Sequence, residues 1–152
     1  MNLFLRTQLL IVEDCVKKLV GSQVHVVGLG GVGAYAAEQL ARAGIGTMTI
    51  IESDTVNVTN KNRQLLALDS TLGRPKVDVM ADRIRDINPE INVIPINQYL
   101  KDQSIIDLMA QPFDFIVDAI DTLAPKVFLL YYAVQNKQKI VSCMGAGGKF
   151  NP

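Results

Sequence analysis

The chain has 152 residues, and its 15 lysines and arginines balance 15 aspartates and glutamates, so the formal net charge is zero. This balance argues against a module that binds polyanions through bulk positive charge, and we interpret the mild basic excess of residues 61–85 as a solvated helix face. The length suits one domain with a sizeable hydrophobic core. Two distant cysteines, Cys15 and Cys143, exclude a disulfide framework and a C-x-x-C zinc ribbon within the chain.

The sequence contains no pattern typical of a membrane span or a signal peptide. The longest stretch without a charged residue, residues 19–37, contains five glycines, which is unlike a membrane-spanning helix. Arg6, Glu13 and Asp14 place charges where a signal peptide has its apolar segment. We therefore expect a cytoplasmic protein that makes no membrane contact.

Apolar periodicity predicts helices and strands in alternation along the chain. Residues 1–20 show helical spacing, so we predict an N-terminal helical segment over residues 1–22. The predicted strands are 23–27, 47–51, 91–96, 113–117 and 140–143. The predicted helices are 34–43, 76–87, 104–110 and 127–135, with one helical turn at 64–68.

Strands that alternate with helices are typical of a mostly parallel sheet with helices on both faces. We therefore predict an α/β, Rossmann-like domain over residues 23–152. Within it, we interpret His25 as a core histidine of the first strand and Cys143 as a small buried apolar residue that ends the fifth. The chain finishes in a loop-like, glycine-rich segment after that strand, and we expect the natural domain to continue beyond residue 152.

A glycine motif between the first strand and the next helix predicts a nucleotide site. Residues 28–33 read Gly-Leu-Gly-Gly-Val-Gly and match G-x-G-x-x-G, so the candidate binding residues are Gly28, Gly30, Gly31 and Gly33. Glycines let the backbone approach a ligand, and the helix N-terminus offers N–H groups to phosphate. Glu52 ends the next strand, where its carboxylate can accept hydrogen bonds from ribose hydroxyls. A glycine-rich turn used only for close packing of helix on sheet is the alternative.

Three polar features fall at the carboxyl ends of strands, where open parallel sheets bind ligands. They are the runs Asn60-Lys61-Asn62-Arg63-Gln64, Gly73-Arg74-Pro75-Lys76 and Asp118-Ala119-Ile120-Asp121-Thr122. Arg63 and Lys76 can neutralise phosphate oxygens, and Asp121 is a hard oxygen ligand suited to Mg²⁺. Cleavage of a triphosphate uses such groups, whereas hydride transfer from a dinucleotide does not need them. The alternatives are capping roles for the aspartates and surface positions for the two cations.

Together these motifs resemble a known enzyme superfamily. From residue 24 onward, the chain resembles the ThiF/MoeB-type, ubiquitin-activating-enzyme-like adenylyltransferases. The resemblance is carried by five motifs in the same order: G-L-G-G-V-G, I-I-E-S-D, N-K-N-R-Q, G-R-P-K and D-A-I-D-T. Within this superfamily, the chain looks most like the tRNA threonylcarbamoyladenosine dehydratases. The similar segments are 62–64, 72–73, 83–89, 118–121 and 145–148. Glu52 departs from the pattern, because many relatives have aspartate there.

The resemblance implies an enzyme that uses ATP and Mg²⁺ to adenylate the carboxylate of N6-threonylcarbamoyladenosine in tRNA. Ring closure with loss of water would follow, with release of pyrophosphate and AMP. The implied roles are Glu52 on the ribose, Asn60 near the phosphates, Arg63 and Lys76 on the phosphates, and Asp121 on Mg²⁺. The resemblance also implies a homodimer in which Arg6 reaches into the partner's site, a sulfur-transfer protein as a further partner, and tRNA contacts largely beyond residue 152.

Three other functions stay open at this point. A member of the same superfamily could instead adenylate the C-terminal Gly-Gly of a ubiquitin-like sulfur carrier protein, as in thiamine or molybdopterin biosynthesis. The glycine motif and Glu52 alone would fit an NAD-dependent oxidoreductase. The chain as given could also be a folded nucleotide-binding and dimerisation module that turns nothing over by itself.

Overall fold

The protein folds around one five-stranded sheet, which a computed structural model describes for residues 3–145. The strands are β1 (Gln23–Val27), β2 (Thr47–Ile51), β3 (Asn92–Ile96), β4 (Phe115–Asp118) and β5 (Ile140–Ser142). The helices are α1 (Leu5–Gln8), α2 (Glu13–Gly21), α3 (Gly33–Ala43), α4 (Lys76–Ile87), α5 (Gln103–Met109) and α6 (Leu123–Gln135), with short 3-10 helices at Val58–Asn60 and Asp69–Thr71. Of the glycine-rich segment 145–148, all but Gly145 lies outside the described residues.

The strand order creates a crevice next to β1. All strand pairs are parallel, and the order across the sheet is β3-β2-β1-β4-β5. The chain runs outward from β1 through β2 and β3, and then crosses back to place β4 on the other side of β1. Such a reversal opens a crevice at the carboxyl ends of the two strands that flank it. The glycine loop follows β1 and residues 119–122 follow β4, so both border this crevice.

Helices cover both faces of the sheet. α3 and α4 pack on one face, over a core that includes Val26, Met48 and Ile50. α5 and α6 lie together on the other face, over a second core that includes Ile116 and Leu129. Successive side chains of a strand point to opposite faces, so the mostly buried strands β1 and β2 contribute apolar side chains to both cores. The predicted α/β, Rossmann-like fold class is confirmed.

The N-terminal segment and the loop after β2 differ from the prediction. Residues 1–20 do not form one helix, because the backbone at Val12 is extended (φ −64°, ψ 153°) and separates α1 from α2. Residues 64–68 form a single hydrogen-bonded turn, in which the N–H of Ala67 donates to the carbonyl oxygen of Gln64 at 3.1 Å, and the two 3-10 helices lie on either side of it. The polar residues of this loop hydrogen-bond to one another instead, which stabilises turns rather than a helix.

The last helix and strand also shift. α6 begins at Leu123 rather than at residue 127, since Pro125 falls in its first turn, where proline removes no helical hydrogen bond. β5 ends at Ser142, so Cys143 lies outside the strand and is half-buried, contrary to the predicted buried position. No helix within residues 3–145 is long and apolar enough to cross a membrane.

His25 lies in β1 and is buried, as predicted, with its ring centroid 4.7 Å from that of Phe113. Neither ring nitrogen has a hydrogen-bond partner among the described residues. Burial lowers the pKa of His25 from 6.5 to about 4, because the charged imidazolium is disfavoured away from water. The folded protein therefore holds this histidine neutral at pH values where the unfolded chain protonates it.

We expect His25 to make the fold sensitive to mild acid. Its contribution to the free energy of unfolding should fall by about 2 kcal/mol between pH 7 and pH 5, because the unfolded chain gains a proton near pH 6.5 and the folded chain does so only near pH 4. Urea titrations at a series of pH values measure this loss, with His25→Phe as the comparison. Equal pH dependence in both proteins would show that His25 is not the group responsible.

Candidate nucleotide-binding site

The glycine loop connects β1 to α3 at the carboxyl edge of the sheet. Gly28 has a φ of +91°, and a Cβ built on it would lie 2.6 Å from the carbonyl oxygen of Ala119. A Cβ on Gly33 would lie 1.8 Å from the carbonyl oxygen of Gly28. Both positions therefore require glycine, since the opposing atoms are backbone and cannot rotate away. These two residues shape the loop and its packing against the segment after β4.

The middle of the loop is open. A Cβ on Gly30 would have its nearest neighbour at 3.8 Å, the amide nitrogen of the Gln64 side chain. The backbone N–H groups of residues 30–33 donate no hydrogen bond to any acceptor within residues 3–145. Unpaired N–H groups at the start of a helix attract anions, so this turn can cradle a phosphate.

Glu52 directly follows β2 and is tied to the glycine loop. Its Oε2 accepts a hydrogen bond from the N–H of Leu29 at 3.0 Å. Its Oε1 accepts from the N–H groups of Ser53 and Asp54, at 2.8 and 3.2 Å. Three backbone donors thus fix the orientation of this half-buried carboxylate, which still has acceptor capacity for ribose hydroxyls. The predicted ribose contact stays a prediction, and the bond to Leu29 gives Glu52 a structural role as well.

The polar run after β2 brings Arg63 next to the glycine loop. The Cγ of Arg63 lies 3.7 Å from the position of a Cβ on Gly31. Its Nη1 donates hydrogen bonds to the carbonyl oxygen of Thr59 at 3.2 Å and to Oδ1 of Asn62 at 2.9 Å. Both contacts are exposed, so the guanidinium remains accessible to an anion in the loop. Asn60 is used locally, because its Oδ1 accepts from the N–H of its neighbour three residues earlier at 3.0 Å.

Lys76 begins α4 and is almost fully buried, with 4% of its surface exposed. Its Nζ lies 3.1 Å from Oδ2 of Asp54, whose side chain is 68% exposed. Asp54 is two residues beyond Glu52, so Lys76 lies close to the edge where the predicted ribose contact sits. The ammonium group has three N–H donors, and only this one acceptor lies within bonding distance in residues 3–145, so it can also bind phosphate.

The end of β4 carries two aspartates in different environments. Asp118 is fully buried and pairs with Lys126 of α6 at 2.6 Å, so it is not available to a ligand. Asp121 lies three residues further on, is exposed, and has no hydrogen-bond or ion-pair partner within the described part of the chain. It follows β4 at the same edge of the sheet as the glycine loop, two residues after Ala119, whose carbonyl oxygen lies close to Gly28.

The residues are suited to a metal held jointly with phosphate. No group of three or more His, Cys, Asp or Glu side chains that could hold a metal ion occurs within residues 3–145. Mg²⁺ commonly takes one or two carboxylates and completes its shell with phosphate oxygens and water. Asp121, an exposed carboxylate at the same edge of the sheet as the open phosphate cradle, fits that pattern.

A recess adjoins Glu52 on the face of the sheet that α5 covers. It begins at Ile51 and Ile96, the last residues of β2 and β3. Its other lining residues are Gln98, Leu100, Ser104, Asp107, Leu108 and Gln111. Its lining mixes apolar side chains with amide, hydroxyl and carboxylate groups, and its volume of about 80 Å³ is well below the roughly 300 Å³ or more of a typical small-molecule site.

Arg6 is not part of this assembly within one chain. It is exposed on α1, whose preceding residue Phe4 packs against Gly44 at the far end of α3 from the glycine loop. The 11 residues of α3 span about 16 Å, which separates the two regions. The predicted reach of Arg6 into a partner subunit stays a prediction.

Two side chains of this edge were missed by the sequence analysis. Asp54, which holds Lys76, lies in the quoted run I-I-E-S-D, only two residues after Glu52. Lys126, which holds Asp118, is the one charged residue of the otherwise uncharged α6. A lone charge in an apolar helix is a signal of a buried partner, and it could have been used.

A family model described as the ThiF family matches residues 5–151. The chain is 42% identical over 140 residues to the tRNA threonylcarbamoyladenosine dehydratase of Escherichia coli (strain K12), a match that covers 92% of this chain and 52% of the relative. It is 40% identical over 111 residues to the molybdopterin-synthase adenylyltransferase of the same organism, covering 73% of this chain and 44% of that relative. The crystal structure of the E. coli dehydratase in complex with ATP has a TM-score of 0.94 and 42% identity, covering 98% of this chain and 61% of that one. The chain thus spans about half the length of the curated relatives it matches.

Proposed function

The chain belongs to the ThiF family, and we propose that it is the ATP-binding part of an enzyme that adenylates the carboxylate of N6-threonylcarbamoyladenosine in tRNA. The observation that supports this most is that an open phosphate cradle, a buried lysine and an exposed carboxylate all lie near the carboxyl edge of one parallel sheet. The relative that binds ATP in its crystal structure has the same fold and carries the dehydratase name. An NAD-dependent oxidoreductase has no comparable support.

We assign the ligand contacts as follows. The N–H groups around Gly30 and Gly31 bind phosphate oxygens, and Arg63 and Lys76 neutralise their charge. Glu52 binds the ribose through the acceptor capacity that its three backbone donors leave free. We place Asn60 near the phosphates because its carbonyl oxygen accepts a hydrogen bond from the N–H of Arg63 at 3.1 Å. Asp121 holds Mg²⁺, which supplies further charge stabilisation at the reacting phosphate.

The proposed reaction follows from the weakness of a carboxylate as an electrophile. A carboxylate oxygen of the substrate attacks the α-phosphorus of ATP, and pyrophosphate leaves with the electron pair of the broken bond. The acyl adenylate carries a good leaving group, so a nucleophile of the same nucleoside attacks the carbonyl carbon and AMP leaves with the former carboxylate oxygen. The nucleophile gives up its proton to solvent as the ring closes, so the nucleoside has lost the elements of one water, whose oxygen leaves as part of AMP. Negative charge grows at the α-phosphorus, where pre-placed cations stabilise it by several kcal/mol.

The proposal extends to assembly and location. A homodimer would let Arg6 reach the site of the partner subunit, since it is remote from the site of its own chain. Most of the tRNA contacts would come from residues beyond 152, and a sulfur-transfer protein is a further candidate partner. A tRNA substrate would place the reaction in the cytoplasm.

Adenylation of a ubiquitin-like sulfur carrier protein is the second candidate function. The match to a molybdopterin-synthase adenylyltransferase favours it, because the same edge of the sheet would serve both reactions. The two functions share the ATP site and differ in the carboxylate that is presented to it.

An assay of the natural full-length protein distinguishes the two candidate functions. We would incubate it with ATP, Mg²⁺ and tRNA that carries threonylcarbamoyladenosine, then digest the tRNA and determine the nucleoside mass. Loss of one water that depends on ATP is the expected result. An unchanged nucleoside, together with ATP–pyrophosphate exchange only when a Gly-Gly carrier protein is added, would move the protein to the sulfur-carrier branch.

A further inference from the structure

An ion pair is buried at the carboxyl end of β4. The Nζ of Lys126 lies 2.6 Å from Oδ2 of Asp118, and the two side chains are only 8% and 0% exposed. Lys126 is the one charged residue of α6, which otherwise contributes apolar side chains to the sheet. Burying two charges costs desolvation energy, and apolar replacements of similar size are often as stable. A role in geometry explains such a pair better than a role in stability.

Every polar group of the pair is used. Lys126 also donates to the carbonyl oxygen of Cys143 at 2.9 Å and to Oγ of Ser142 at 3.4 Å. The hydroxyl of Ser142 in turn donates to Oδ2 of Asp118 at 2.5 Å. The other oxygen of Asp118, Oδ1, accepts from the N–H of Ile120 at 3.0 Å. The pair therefore links α6, the end of β5 and the turn that leaves β4.

That turn leads directly into Asp121, the proposed metal ligand. The N–H of Ala119 donates to the carbonyl oxygen of Val27 at 2.8 Å. The carbonyl oxygen of Ala119 lies so close to Gly28 that a Cβ on that residue would be 2.6 Å away. The N–H of Cys143 donates to the carbonyl oxygen of Asp118 at 2.9 Å. Residues 118–120 are thus held from β1, β5 and α6 together, while Asp121, the next residue, is exposed and without a partner in residues 3–145. The position of Asp121 depends on the turn that precedes it.

We propose that Lys126 is a positioning residue: its buried pair with Asp118 fixes the turn 118–120, and this turn sets the position from which Asp121 binds a metal shared with phosphate. The inference rests on the proposed function, because it gives the turn a purpose only if Mg²⁺ and ATP bind there. Small displacements of a metal ligand are costly, since reacting groups displaced by about 1 Å can lose about 100-fold in rate.

The test uses the natural full-length protein and separates positioning from stability. Lys126→Met removes the cation and leaves the carboxylate of Asp118 buried and unpaired, so the Tm should fall by about 10 °C. The double variant Lys126→Met/Asp118→Asn removes both charges and should recover most of that Tm. Ser142→Ala removes one hydrogen bond and provides a milder change that leaves the fold intact. Lys17→Met, which breaks an exposed pair on α2, is the matched control.

Three quantities are measured for each variant: the rate of pyrophosphate release against free Mg²⁺, the Kd for ATP in EDTA, and amide hydrogen exchange at residues 119–121. We expect both Lys126→Met and the double variant to need about tenfold more Mg²⁺ for the half-maximal rate. Their Kd for ATP without Mg²⁺ should stay within about twofold of the wild-type value. The amide hydrogens of residues 119–121 should exchange faster than in the wild-type protein. Ser142→Ala should shift in the same direction by about twofold to threefold, and Lys17→Met should match wild type.

A double variant that recovers both Tm and Mg²⁺ dependence would overturn the inference, because the pair would then serve stability alone. The same holds if Lys126→Met retains the wild-type Mg²⁺ dependence while the wild-type protein is active, and in that case the proposed function stands. Absence of pyrophosphate release from the wild-type protein with either tRNA or a Gly-Gly carrier would instead refute the proposed function, and the inference would fail with it.

Discussion

Asp121→Ala is expected to slow ATP-dependent pyrophosphate release by about 100-fold to 1,000-fold, since a metal ligand contributes several kcal/mol at the reacting phosphate and each 1.4 kcal/mol is a factor of ten. The fold should be unaffected. Asp121 is exposed and forms no hydrogen bond or ion pair within residues 3–145, and substitutions at such surface positions change stability by less than about 0.5 kcal/mol. Rate and Tm, measured on the same preparation, test both halves of the prediction.

A matched variant makes that result specific. Asp86→Ala removes another exposed carboxylate, at the end of α4 and away from the crevice, and should leave the rate unchanged. ATP binding in EDTA should survive in both variants, because the phosphate cradle and Lys76 remain. A rate for Asp121→Ala equal to that of Asp86→Ala would mean that the metal, if the reaction uses one, is held elsewhere.

The parts of the fold that follow from local chemistry could be predicted from the sequence. The glycine loop and the strands on either side of the crevice were found because their signals are short-range: apolar runs, the spacing of glycines and an acidic residue at a strand end. The parallel sheet followed from the alternation of elements. Because parallel strands align their carboxyl ends, residues as distant as Gly30, Lys76 and Asp121 could be assigned to one edge of the sheet.

The parts that depend on long-range partners could not be predicted in the same way. The spacing of Leu9, Val12 and Val16 predicts a helix whether or not another part of the protein packs on these side chains. In the structure only Val16 of the three is buried, and the helix is interrupted at Val12. The pairing of Lys126 with Asp118 joins a helix to a strand end, and no spacing rule connects them. The same applies to the half-buried position of Cys143, which is set by where β5 loses its partner strand.

Substitutions in the glycine loop should separate its structural positions from its ligand-binding position. We expect Gly33→Ala to lower the free energy of unfolding by roughly 3 kcal/mol or more, since the new Cβ meets the carbonyl oxygen of Gly28 at 1.8 Å. Gly30→Val should instead affect ATP binding and leave stability nearly unchanged. Its nearest neighbour is the flexible end of Gln64 at 3.8 Å, so the fold tolerates it, but the branched side chain projects into the phosphate cradle.

Gly30→Val should therefore retain the wild-type Tm within about 2 °C and weaken ATP binding by about 100-fold, because phosphate can no longer reach the N–H groups of residues 30–33. Calorimetric titration with ATP and thermal unfolding measure the two effects. Gly21→Ala is the control, because a Cβ at that position has no atom within 4 Å and the residue lies outside the crevice. If Gly30→Val kept its affinity for ATP, the open turn would be a packing device only, and the phosphate site would have to be formed by Arg63 and Lys76 without the loop.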